Sequence, residues 1–138
     1  MFLEVFLMIT IHLTDPIRSL LCERRFKNKT LLLITDDGGG KYSLKGGACT
    51  IGANFSMIIL DKPDADYPVR LVNHAGIPLF TSNYDLTFLG NGLKLDYQNH
   101  SIRLSDDSGL LDGAVQITNG ADVITAFQNG LTPDQAGC

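Results

Sequence analysis

Leu93-Lys94-Leu95-Asp96-Tyr97 and Ser101-Ile102-Arg103-Leu104, separated by Gln98-Asn99-His100, alternate apolar and polar residues on both sides of a turn-forming triplet. Period-two alternation puts the apolar side chains on one face, so the stretch predicts an antiparallel hairpin with one wet face. Upstream, Tyr67 to Val72 and Ile77 to Thr81 form a second pair of predicted strands around the turn Asn73-His74-Ala75-Gly76. Ala48 to Leu60 and the continuous apolar run Thr30 to Thr35 read as further, more buried strands. Ile9 to Leu13 alternates as well. Thr14-Asp15-Pro16 then has the form of a helix start, a capping side chain followed by proline, and predicts a helix from Pro16 to about Arg25. Tyr84 to Leu89 fits one helical turn. Downstream, Asp106 to Gly113 reads as a turn-rich loop, Ala114 to Ile117 as a short strand, and Val123, Ile124 and Phe127 as one amphipathic turn.

These elements predict a mainly β (α+β) chain with one N-terminal helix, its strands paired mainly antiparallel and packed as a compact β-sandwich. At 138 residues, 44% of them hydrophobic, the chain is sized for one domain with a core of its own. The net charge of −4 and the scattering of eleven Lys and Arg argue against nucleic acid as a partner. The short run Arg24 to Lys29 reads as a solvated turn. The apolar stretch Met1 to Thr10 lacks the basic flank and cleavage site of a signal peptide and is too short to span a bilayer. The expectation is no membrane, with residues 1–7 an extension ahead of a second candidate start at Met8. Cys22, Cys49 and Cys138 are odd in number and widely spaced, which fits a reducing, cytoplasmic compartment rather than a disulfide framework.

Gly38-Gly39-Gly40-Lys41-Tyr42 is not a phosphate loop, because Thr35 stands at the required first glycine and Tyr42 at the required Ser or Thr. Asp61, Asp64 and Asp66, and Asp106, Asp107 and Asp112, are acidic groups without the spacing of a calcium loop. In Gly46-Gly47-Ala48-Cys49-Thr50-Ile51-Gly52 the flanking glycines leave Cys49 unencumbered, as suits a thiolate ligand or nucleophile. A small apolar side chain in a glycine-rich bulge fits the same residues. Nucleophilic catalysis would need a base from His12, His74 or His100, and no spacing ties one of them to Cys49. The expectation is therefore no enzyme.

The Gly46–Gly52 tract, with Gly92-Leu93-Lys94-Leu95-Asp96-Tyr97 behind it and a strand, capped helix and strand before it, resembles the HesB-like, A-type iron–sulfur cluster biosynthesis proteins. The resemblance covers about residues 8–117 and implies a HesB-like domain at 8–118, followed by a tail at 119–138. It further implies a sandwich-like fold, often dimeric, whose cysteines carry iron or an iron–sulfur cluster to client or assembly proteins. Cys49 matches the family's first cysteine. Where the family has Cys-Gly-Cys, this chain has Ser108-Gly109-Leu110-Leu111-Asp112-Gly113, so three family cysteines cannot hold a cluster here. A dimer would pool two Cys49, with Asp112 or Cys138 completing an iron site. The alternative reading is a member that kept the fold as a metal-free interaction or small-ligand module.

Overall fold

The computed structural model describes residues 8–36, 41–43 and 54–128. Its elements run β1 (Met8–Leu13), α1 (Asp15–Leu21), β2 (Thr30–Thr35), β3 (Phe55–Leu60), β4 (Val69–Val72), β5 (Leu79–Thr81), α2 (Asn83–Leu86), β6 (Leu93–Gln98), β7 (Ser101–Asp106), β8 (Gly109–Asn119) and α3 (Gly120–Gln128). The eight strands close into a barrel in the order β1-β4-β5-β2-β3-β8-β7-β6.

The barrel corrects the expected sandwich. Two strands change partner along their length. Met8–Thr10 of β1 pairs with β4, and Ile11–Leu13 pairs with β6. The first part of β8 pairs with β7, and Gln116–Asn119 pairs with β3. Two would-be sheets are thereby fused at both sides into one closed barrel. Pairing is mixed rather than mainly antiparallel: β1 with β4, β1 with β6, β2 with β5 and β3 with β8 are all parallel. Parallel partners lie far apart in the chain, so no turn signal announces them.

The β6–β7 hairpin stands as expected, and its turn residues Asn99 and His100 both adopt positive φ (51° and 64°). That is the primed turn whose twist matches its strands. The α1 helix stops at Leu21, short of the expected Arg25. Its buried stripe of Ile17, Leu20 and Leu21 would next require an apolar residue at Arg24. The chain instead makes a 3-10 turn, Arg24–Phe26, that buries Phe26. Thr14 does not cap the helix with its side chain; its hydroxyl donates to Asp96 on β6 (2.6 Å). Of the loop expected at Asp106–Gly113 only Asp107 and Ser108 form a turn; Asp106 ends β7, and Gly109 onward is continuous with the strand expected after it as the eleven-residue β8. Register shifts place an extra β8 residue on each side of Asp112, and these bulges hide the alternation.

Ile11, Leu31, Leu33, Phe55, Met57, Leu71, Leu95 and Leu104 are among the residues of one core cluster. The alternate residues of β2 and β3, Leu32, Ile34, Ile58 and Leu60, form a second cluster with Tyr42 and Tyr67, against which Ile124 of α3 packs. Both strands are therefore buried along their whole length, which explains their unbroken apolar sequences.

Candidate functional site

The glycine-rich tract belongs to the connection between β2 and β3, and its described flanks are tightly held. The Asp36 amide donates to the Asn54 carbonyl (2.8 Å), extending the β2–β3 ladder by one rung. Asp36 is 4% exposed, and its carboxylate accepts from the Ser43 hydroxyl and, at 3.3 Å, from the Ser56 hydroxyl. Burying a carboxylate is costly unless it is hydrogen-bonded, so these contacts are required as well as restraining. Lys41 bridges Asp64 and Asp66 (2.9 and 2.8 Å), and the Tyr42 hydroxyl donates to Asp64 (2.7 Å).

The electrostatics follow from those contacts. The Asp66 and Asp64 carboxylates hold the Lys41 ammonium above its ordinary range. Burial, with Asp64 beside it, pushes the Tyr42 phenol up to about 12. Burial alone would raise the Asp64 carboxyl, but hydrogen bonds from Lys41, the Asp66 amide and Tyr42 outweigh it and hold the group below the usual carboxylate range.

Asp112 stands where the tract rejoins the barrel. One of its oxygens accepts from the Phe55 amide and the other from the Ala114 amide, each at 2.8 Å. The β8 bulges aim the side chain at the first residue of β3. Each oxygen retains acceptor capacity beyond its one backbone bond. Cys49, the rest of Gly46–Gly52 and Cys138 lie outside the described residues. Among the described residues Cys22 is a free, exposed thiol, and no three His, Cys, Asp or Glu side chains group as a metal site.

His12, His74 and His100 are exposed and lie on β1, the β4–β5 turn and the β6–β7 turn. The acidic groups are engaged elsewhere: Asp61 with Lys29, Asp64 and Asp66 with Lys41, and Asp106 with the Gly90 and Ser108 amides. Sequence reasoning passed over two buried carboxylates, Asp36 and Asp85. Asp85 accepts from the Thr35 amide (2.8 Å) and the Ser82 hydroxyl (2.5 Å), while its own amide donates to Ser82 (3.1 Å). The spacing Ser82-x-x-Asp85 resembles a capping box and was the available signal. No described helix is long and apolar enough to cross a membrane.

Residues 9–119 match the family model described as iron-sulphur cluster biosynthesis. Among solved structures, a candidate Fe-S biosynthesis protein from Lactobacillus acidophilus is 44% identical, with a TM-score of 0.78 over 88% of this chain and 99% of that one. A second, from Lactobacillus salivarius and described as having a novel protein fold, is 26% identical, with a TM-score of 0.64 over 80% of this chain and 98% of the other. No curated protein matches the sequence.

Proposed function

Because this chain belongs to the iron-sulphur cluster biosynthesis family, we propose that it serves that process as a non-enzymatic carrier of iron or a cluster, bound through Cys49. The observation that carries this reading is the anchoring of the tract's flanks. Asp36 ties the end of β2 to Ser43 and Ser56, and Asp112 ties the start of β3 to β8. A ligand supplied from a loop is useful only if the loop's ends are fixed, since a carrier must present its cargo to a partner in one orientation.

Clusters commonly take four thiolates, and Cys49 is the one cysteine at a family position, so the bound form is a pair of chains pooling two Cys49. Asp112, beside Phe55, supplies a carboxylate near the tract's exit, and Cys138 is the remaining thiol. Client or assembly proteins are the partners in this reading, and the unclustered cysteines favour a reducing cytoplasm. Iron measured per chain after anaerobic incubation with ferrous iron and sulfide tests it. Stoichiometric iron in the native protein, lost in Cys49→Ser and reduced in Asp112→Asn, is the expected result. Equal iron in the native and Cys49→Ser proteins would overturn it.

A second reading, a metal-free binding module, is favoured by Ser108–Gly113. That stretch replaces Cys-Gly-Cys with the start of β8, and its carboxylate is engaged by backbone amides. Absence of iron from both proteins would select it.

A further inference from the structure

A cleft of about 680 Å³ opens between the end of β2, the turn before β4, and α2. Its size falls within the range of small-molecule sites. Ile34, Ala65 and Pro68 give it apolar walls, and Tyr67 and Tyr84 contribute aromatic rings. Tyr84 is 56% exposed and packs edge-on against Phe88, with ring centroids 5.5 Å apart.

Two polar groups in this lining are incompletely matched. Asp85 is 4% exposed and accepts two hydrogen bonds, yet among the described residues no Lys, Arg or His forms an ion pair with it. A buried carboxylate ordinarily has a cation or several donors, because its desolvation is expensive. Beside it Thr35 is 5% exposed, and its Oγ1 is buried with no hydrogen-bond partner, the one such side-chain atom among the described residues. Buried hydroxyls are nearly always bonded, so an orphan on a residue that lines the cleft marks a place for a polar ligand group, and the neighbouring Asp85 carboxylate favours a cationic donor. Asp66 at the cleft is shared with Lys41, which its pairing with Asp64 holds on that side. The Tyr67 phenol is raised by burial and then by Asp85, and also by Asp64 and Asp66, consistent with a negative potential in the cleft.

We propose that this cleft binds a small organic ammonium ion on an apolar or aromatic stem. The N–H groups of the cation satisfy Thr35 Oγ1 and offset the Asp85 charge. The stem lies against Pro68 and the tyrosines, which stabilise a cation over their faces. The proposal requires neither Cys49 nor an iron cargo.

The test is a titration of the full chain with phenethylamine, and with phenethyl alcohol as its neutral counterpart, followed by amide chemical shifts. Saturable shifts centred on Thr35, Tyr67 and Asn83–Asp85 are expected, with the alcohol binding about tenfold or more weakly. Thr35→Val removes an unpaired hydroxyl, so it should fold at least as stably as the parent while losing affinity for the amine. Tyr84→Ala, at an exposed ring, should weaken binding about two- to fivefold. Equal binding of amine and alcohol would overturn the proposal. So would shifts scattered over the exposed Asp15, Asp61 and Asp122, unchanged affinity in Thr35→Val, or no saturable response.

Discussion

The β2–β3 pair and the β6–β7 pair are both antiparallel, yet they are built on opposite terms. Every residue of β2 and β3 is buried, with one core cluster on each face. β6 and β7 bury alternate residues and leave the others wet or half-wet. The first pair is joined by the long connection that contains Cys49, the second by a two-residue turn. The pair with the least local reason to form is thus the one carrying the candidate ligand. It is held by what covers it: Tyr42, Tyr67 and α3 on one side, the barrel interior on the other.

Core truncation breaks the comparison most strongly. Leu33→Ala, at a fully buried β2 position, should cost about 2–5 kcal/mol, whereas Lys94→Ala on the wet face of β6 should stay within about 0.5 kcal/mol. Urea denaturation of the two variants reads both values. The cover over β3 is tested at Gly120, where an added Cβ would lie 2.5 Å from Leu60 Cδ2 and 3.0 Å from Ile58 Cγ2. Gly120→Ala should therefore destabilise by about 1–3 kcal/mol in the same assay, through overpacking between α3 and the strand.

On the hairpin the sign reverses. His100 holds a left-handed φ of 64°, which glycine adopts without strain, so His100→Gly should stabilise by about 1 kcal/mol, seen as a raised thermal midpoint. The smallest effect is acid-dependent. The Thr14 hydroxyl, helped by the Tyr97 amide, holds the Asp96 carboxyl below its ordinary range and ties β6 to the start of α1. A carboxyl lowered in the folded state contributes stability above its unfolded value of about 4 and loses it as pH falls through the folded value. Asp96→Asn should flatten the stability curve below about pH 4 while leaving the alkaline side unchanged, as acid titrations of folding would record.

The same contrast explains what could be read from sequence. The β6–β7 hairpin was legible because its partners are neighbours and its turn residues tolerate positive φ. The six residues of β2 were legible as buried, but nothing in Thr30–Thr35 indicates that β5 lies parallel on one side and β3 antiparallel on the other. β1 and β8 misled for a related reason. The alternation of Ile9–Leu13 cannot show that the first half of β1 pairs with β4 and the second with β6, and the bulges around Asp112 conceal a continuous strand. At the candidate site, Asp112 was chosen by analogy of position and is found at the first residue of β3. Asp36 and Asp85 were missed: Asp36, closing an apolar run, and Asp85, in a polar stretch after Ser82, both look like turn residues until their buried hydroxyl and amide donors are known.

The central claim is that Cys49 makes this chain a carrier, and cluster delivery tests it most directly. The native and Cys49→Ser proteins are treated anaerobically with ferrous iron and sulfide, freed of excess reagent, and mixed with an apo-ferredoxin whose cluster absorbance is followed. Cluster appearing on the acceptor from the native protein, with none from Cys49→Ser, is the predicted result. Equal delivery by both proteins, or a native protein that takes up no iron at all, would contradict it.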